Sequence, residues 1–149
     1  LFSMLPFIMI SFRHGVKWGL FTGFVNSLLQ MLLGFYAPPA PGLLPLVGMI
    51  LLDYVLAFTL LGLAGAIAKP FSNKLVGVGV GTAVVCFIRF MCSFLSGVLI
   101  WGNLSDGLPA WTYSLTYNGS YMLPETIMTT VAAVLIYKAA PQLFSAQND

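Results

Sequence analysis

The stretch LVGVGVGTAVVCFIRFMCSFLSGVLIW, residues 75–101, decides the fold class because it contains a single charged residue, Arg89. About 20 apolar residues are enough to cross a bilayer as a helix, and this run is longer. The whole chain is similar, since 59% of its 149 residues are hydrophobic and 7% are charged. Soluble domains carry about 25% charged residues. The sequence therefore predicts an all-α integral membrane protein.

Four further apolar stretches flank this run, at residues 1–12, 16–35, 46–68 and 116–138. The first is too short to cross a bilayer alone, whereas the other three are long enough to be spanning helices. Since the chain opens at Leu1 inside an apolar run, we expect its first helix to be missing. We predict one transmembrane domain over residues 1–149, folded as a compact bundle of about five helices.

The basic residues predict the orientation of the bundle. They cluster at alternate ends of the spans, at Arg13, His14, Lys17, Lys69, Lys74 and Lys138. The loops between the other ends, residues 36–45 and 102–115, contain neither lysine nor arginine. By the positive-inside rule, the first set of ends faces the cytoplasm and the two loops face outward. A net charge of +2, so scattered, gives no indication of nucleic-acid binding.

Three charged residues lie within the predicted spans: Asp53, Arg89 and Glu125. A charge near the bilayer centre costs about 2.5–3.5 kcal/mol on insertion scales, so it is usually paired or lines a cavity. The topology places Asp53 and Glu125 in the outer halves of their helices and Arg89 near the middle of its own. We expect the three to meet around a pocket that opens outward. An internal salt bridge of Arg89 with Asp53 or Glu125 is the structural alternative.

Neighbouring polar and aromatic residues extend this predicted pocket. Arg89, Ser93 and Gly97 recur every four residues and lead toward Trp101 at the outer end of their helix. In the last span, Asn118, Tyr121 and Glu125 follow one another by three and four residues and so share a helix face. Aromatic residues such as Trp101 and Tyr113 also suit an aromatic belt at the membrane boundary.

Enzyme signatures are absent from the sequence. It contains no P-loop, no H-E-x-x-H and no G-x-S-x-G. Its one histidine, His14, lies in a loop, so a histidine triad or histidine metal cluster within the spans is excluded. Cys86 and Cys92 are six residues apart and point in different directions on a helix, which favours packing roles. A binding or transport protein without cofactor or metal is favoured, and ATP-driven work would need a partner. An intramembrane enzyme using Asp53 and Glu125 remains the alternative.

Three segments, LLDYVLAF, IRFMCSFLSGVLIWG and WTYSLTYNGSYMLPE, together resemble the thiamine-specific substrate-binding subunits (S-components, ThiT type) of energy-coupling factor (ECF) transporters. The resemblance implies a six-helix fold, of which this chain would cover helices two to six, and a thiamine pocket near the outer face. It also implies a bacterial plasma membrane location and no catalytic residue. The implied partners are thiamine, a membrane scaffold subunit, two ATPase subunits and the lipid bilayer.

The resemblance also assigns residues to the pocket. It implies substrate-binding roles for Asp53, Tyr54, Arg89, Ser93, Trp101, Tyr113 and Asn118. The family commonly has a histidine in place of Ser93, and some members have a glutamate in place of Asp53. These departures leave an S-component for hydroxymethylpyrimidine, a thiamine precursor, or for another vitamin as the alternative. Tyr121 and Glu125 have no counterpart in the resemblance, and their helix face predicts supporting roles beside Arg89.

Overall fold

The computed structural model describes residues 2–39 and 41–145, and these residues form a bundle of five helices without a strand. The helices are α1 (Leu5–His14), α2 (Val16–Gly34), α3 (Leu43–Ala68), α4 (Lys74–Leu99) and α5 (Ala110–Ala139). Short 3-10 turns follow α4 at Gly102–Leu104 and α5 at Pro141–Phe144. The predicted all-α bundle of about five helices is confirmed.

Three of the described helices are long and apolar enough to cross a membrane. They are α3, α4 and α5, with mean hydropathies of 2.2, 2.1 and 1.3 over their most apolar windows. Helix α2, predicted as a span at residues 16–35, has 19 residues but is not among them, because Lys17, Asn26 and Gln30 lower its hydropathy. At ten residues, α1 is too short to span alone, as predicted.

The outward faces of the helices are strongly apolar. Leu32, Leu33 and Leu44 are 82%, 85% and 84% exposed. Continuous exposed apolar surface of this kind is typical of lipid contact and unsuited to water.

Helix α3 is irregular in the region that carries the predicted carboxylate. It is a π-helix over Ile50–Leu56 and a 3-10 helix over Leu60–Leu63. Asp53 and Tyr54 lie within the π segment. Such segments are rare and occur frequently at functional sites, because the wider turn changes where side chains point.

Helix α5 begins earlier than predicted. The sequence predicted a span over 116–138 and an outer loop over 102–115, whereas the helix begins at Ala110. Pro109 directly precedes it, and a proline at a helix start loses no intrahelical hydrogen bond. Pro124 lies inside the helix without ending it. The early start places Tyr113 on the helix together with Asn118 and Tyr121.

Small residues allow close helix packing within the chain. A Cβ atom on Gly19 would lie 2.9 Å from the Cα of Gly62, and one on Gly81 would lie 2.6 Å from the carbonyl oxygen of Ala64. These contacts join α2 to α3 and α3 to α4. Cys86 and Cys92 are free and buried in the central core, as predicted.

Candidate functional site

A cavity of about 480 Å³ lies between α2, α3, α4 and α5, at the end of the bundle predicted to face outward. Its volume falls in the usual range for small-molecule sites, about 300–1,000 Å³. All seven residues predicted to bind substrate line it: Asp53, Tyr54, Arg89, Ser93, Trp101, Tyr113 and Asn118. Tyr121 also lines the cavity, whereas Glu125 does not.

The Asp53 carboxylate is held by two donors from the outer end of α4. The Ser96 hydroxyl donates to Asp53 Oδ2 at 2.6 Å, and Trp101 Nε1 donates to the same oxygen at 3.2 Å. Among residues 2–39 and 41–145, no hydrogen bond uses Oδ1. The carboxylate is therefore oriented by the protein and keeps one oxygen for a ligand.

The Arg89 guanidinium lines the cavity and packs on an aromatic ring. Its Cζ atom lies 4.6 Å from the centroid of the Phe58 ring, a cation–π contact. Its Nη1 atom is buried and has no hydrogen-bond partner within the described part of the chain. The sequence left open a salt bridge of Arg89 with Asp53 or Glu125. Among the described residues, both carboxylates accept hydrogen bonds from other side chains and none from Arg89.

Glu125 contradicts the prediction that all three membrane charges face one pocket. Its Oε1 accepts a hydrogen bond of 2.9 Å from the Ser3 hydroxyl. Asn118 and Tyr121 share the expected face, but one further helical turn carries Glu125 past the cavity toward the chain's N-terminal segment. An enzyme that uses Asp53 and Glu125 together is not supported by this arrangement.

The Asn118 amide is almost fully engaged inside the protein. Its Nδ2 donates to the carbonyl oxygens of Ser93 and Ser114, at 3.2 and 3.1 Å, and to Ser114 Oγ at 3.1 Å. Its Oδ1 accepts from the Tyr121 hydroxyl at 2.9 Å. An amide nitrogen has two hydrogens and an amide oxygen accepts two bonds. Only an acceptor site on Oδ1 remains for a ligand.

Tyr54 contacts the cavity with its ring, since its hydroxyl is used elsewhere. The hydroxyl donates to the carbonyl oxygen of Gly34 at 3.0 Å and accepts from the backbone nitrogen of Tyr36 at 3.4 Å. The Phe35 ring stacks on Tyr54 with the centroids 6.3 Å apart. Tyr54 thus fastens the end of α2 and the start of the following loop to α3, beside the cavity.

The wall formed by α4 and α5 depends on a glycine and a column of tyrosines. A Cβ atom on Gly97 would lie 2.7 Å from Ser114 Cβ, so only glycine permits this approach. Tyr113 stacks on Tyr117 with centroids 6.0 Å apart, and Tyr117 meets Tyr121 edge-on at 5.8 Å. This column gives the cavity one continuous aromatic side.

Several cavity residues were not predicted from the sequence. Gln30 lines the cavity, and a polar residue near the outer end of a span was a usable signal for it. Tyr36 and Leu104 also line it and come from the segments that follow α2 and α4, for which the sequence analysis assigned no role. Met49 and Phe58 lie in a uniformly apolar span, where nothing in the sequence separates cavity-facing from lipid-facing positions.

Comparison with known proteins shows that this chain is similar to bacterial thiamine transporters. A family model described as thiamine transporter protein (Thia_YuaJ) matches residues 1–145. The thiamine transporter ThiT of Bacillus subtilis is 33% identical over 97% of this chain and 78% of that protein. The ThiT of Lacticaseibacillus paracasei is 31% identical over 99% of this chain and 77% of that protein.

A solved structure of ThiT from Listeria monocytogenes has a similar fold. It superposes with a TM-score of 0.78, covers 97% of this chain and 81% of the solved chain, and is 22% identical. This likeness confirms the predicted fold.

Proposed function

Since this chain belongs to the thiamine transporter protein family, we propose that it is the high-affinity subunit that captures thiamine in the outer cavity. The relatives' names describe transport and not catalysis. With its membrane-capable helices, the chain is a multi-pass bacterial membrane protein. The proposal concerns which groups of the cavity hold the vitamin and how it is delivered inward.

One observation carries the assignment of the ligand. An oriented carboxylate, Asp53, lies beside the indole of Trp101 in a membrane cavity, with Oδ1 free. Thiamine combines a permanently positive thiazolium with an aminopyrimidine. The carboxylate offsets the positive charge or accepts from the exocyclic amine, and an aromatic face stacks on a cationic ring. Trp101 and Tyr113, which both line the cavity, supply such faces.

The remaining polar groups complement the other end of such a ligand. Asn118 offers an acceptor on Oδ1 and no free donor, so the ligand must donate at this point, as an exocyclic amine does. Arg89 offers donors to a ring nitrogen or a hydroxyl. Ser93 occupies the position where the family commonly has a histidine, and its smaller side chain leaves more room for the ligand.

We also propose partners for the transport step. The chain has no nucleotide-binding motif, so the energy for delivery must come from other subunits. The resemblance implies an ECF scaffold subunit and two ATPase subunits. Co-purification of the full-length protein with such a module, with thiamine uptake dependent on ATP hydrolysis, would test this part separately from binding.

Titration of the detergent-purified protein with thiamine, followed by tryptophan fluorescence, tests the ligand. Saturable quenching is expected in the wild type and in Trp111→Phe, because Trp111 is exposed and does not line the cavity. Quenching should be largely lost in Trp101→Phe. Calorimetry with riboflavin, biotin and hydroxymethylpyrimidine serves as the specificity control. Binding of hydroxymethylpyrimidine or another vitamin in preference to thiamine would replace the proposed substrate and keep the transporter class.

A further inference from the structure

A second cleft lies at the opposite end of the bundle from the outer cavity. It has a volume of about 770 Å³ and is formed by the α1–α2 turn, the α3–α4 turn and the end of α5. Helix α4 has 26 residues and is therefore about 39 Å long, enough to cross a hydrocarbon core of about 30 Å. One end of α4 contributes to each site, so the cleft lies at the other membrane face, predicted to be cytoplasmic.

The rim of this cleft is cationic. Lys17 comes from the start of α2, and Lys69 and Lys74 come from the α3–α4 turn. His14 completes the set, and all four side chains are exposed. No aspartate or glutamate of the described residues lines the cleft. The fold thus gathers lysines from two turns that are distant in sequence into one positive rim.

The wall below the rim is aromatic. Phe144 is 6% exposed and its ring contacts Phe12 and Tyr137, each with centroids 5.6 Å apart. Trp18 and Phe71 continue the lining, and Trp18 is 58% exposed. The cleft therefore combines a positive rim with a largely aromatic wall.

We propose that this cleft binds an anionic phospholipid of the cytoplasmic leaflet, with the phosphate among the three lysines and the upper acyl chains along the aromatic wall. Basic pockets between transmembrane helices on this side match the charge of anionic headgroups. The aromatic wall favours a lipid over a free phosphate ion, because apolar side chains can pack on acyl chains but do not stabilise an inorganic anion.

Trp18 provides a reporter at the cleft itself. The full chain carrying Trp101→Phe and Trp111→Phe would be reconstituted in phosphatidylcholine vesicles containing brominated phosphatidylglycerol or brominated phosphatidylcholine. Brominated chains quench a tryptophan that they touch, so the quenching curves give the relative association of each lipid with the cleft. We expect phosphatidylglycerol to associate more strongly than phosphatidylcholine.

Two lysines form a matched pair for this test. Lys69 lines the cleft, whereas Lys138 lies near the same end of the bundle, is exposed and does not line it. Lys69→Gln should lower the preference for phosphatidylglycerol about fivefold, and Lys138→Gln should leave it nearly unchanged. Thermal unfolding of both variants checks that they remain folded.

Three results would overturn the proposal. One is equal quenching by the two brominated lipids in the parent protein. Another is an equal loss of preference in Lys69→Gln and Lys138→Gln, which would indicate general surface charge. The third is removal of the preference by millimolar inorganic phosphate, which would make the cleft a site for a free anion.

Discussion

Two carboxylates lie within membrane helices of this protein, and their surroundings differ sharply. Asp53 lines the outer cavity, receives hydrogen bonds from Ser96 and Trp101, and keeps one oxygen free. Glu125 does not line the cavity and, within the described part of the chain, receives one hydrogen bond, from Ser3. A membrane carboxylate is costly in either place. The difference teaches that the network around such a group, and not its depth in the membrane, distinguishes a candidate ligand site from a structural contact.

Exchanging each carboxylate for its amide tests this comparison most directly. Asp53→Asn should weaken thiamine binding by about 2–5 kcal/mol, or about 30-fold and more, because a buried charged partner of a cationic ligand is lost. Glu125→Gln should change the Kd by less than about threefold. Calorimetric titration of both variants measures the contrast. Equal affinities for the wild type and Asp53→Asn would remove the carboxylate from its central role.

The Gly97→Ala variant tests how tightly α4 and α5 pack at the cavity wall. Gly97→Ala should destabilise the protein by about 1–3 kcal/mol, because the added methyl group has no room between α4 and α5. Gly119→Ala is the control, since no atom lies within 4 Å of its added Cβ. That change should be neutral or stabilising, because alanine suits a helix interior better than glycine. Thermal unfolding in detergent compares the two, and equal Tm values would contradict close packing at Gly97.

The Trp101→Phe variant tests whether the Trp101 indole and the Asp53 carboxylate act together in binding. Trp101→Phe keeps an aromatic ring but removes the hydrogen bond to Asp53 Oδ2, so thiamine affinity should fall by about 1–2 kcal/mol. In the Asp53→Asn background the same change should cost less, because the two residues act together. A double-mutant cycle measured by calorimetry gives the coupling. Additive losses would show that Trp101 contributes only as a stacking surface.

The smallest expected effect comes from the hydroxyl that orients Asn118. Tyr121→Phe removes the donor to Asn118 Oδ1 and should weaken thiamine binding by about 0.5–1 kcal/mol. Tyr117→Phe is a matched control on the same helix and in the same tyrosine column. Its loss of affinity should be smaller, because its hydroxyl makes no hydrogen bond to Asn118 within the described residues. A loss of thiamine affinity in Tyr121→Phe as large as that in Asp53→Asn would contradict the proposed order of effects.

Much of the fold could be predicted because long apolar runs leave few alternatives in a membrane. The start of α5 was missed, since hydropathy measures preference for lipid and the polar aromatic turn around Tyr113 is helical without being strongly apolar. The π segment at Ile50–Leu56 contains neither glycine nor proline, so its sequence gives no sign of an altered turn.

The candidate site could also be predicted only in part. Helical periodicity predicts which residues share a face, and this sufficed for Arg89, Ser93 and Asn118. It does not predict which neighbour that face meets, so Glu125 was expected at the pocket and Gln30 was not identified as a lining residue. The engagement of the Asn118 amide depends on Ser114 and the backbone of Ser93, contacts that exist only after α4 and α5 pack. The roles of the cavity residues toward thiamine remain predictions.

The π segment of α3 also has a consequence for sequence insertions and deletions. A π-helical turn accommodates an extra residue by widening, so the helix on either side of it keeps the faces that it presents. Deleting Leu51 or Leu52 should therefore close the wide turn and leave the packing around Phe58 and Leu61 in register. The change falls on the segment that carries Asp53 and Tyr54. The length of this one turn, and not the course of α3 as a whole, sets where the carboxylate lies.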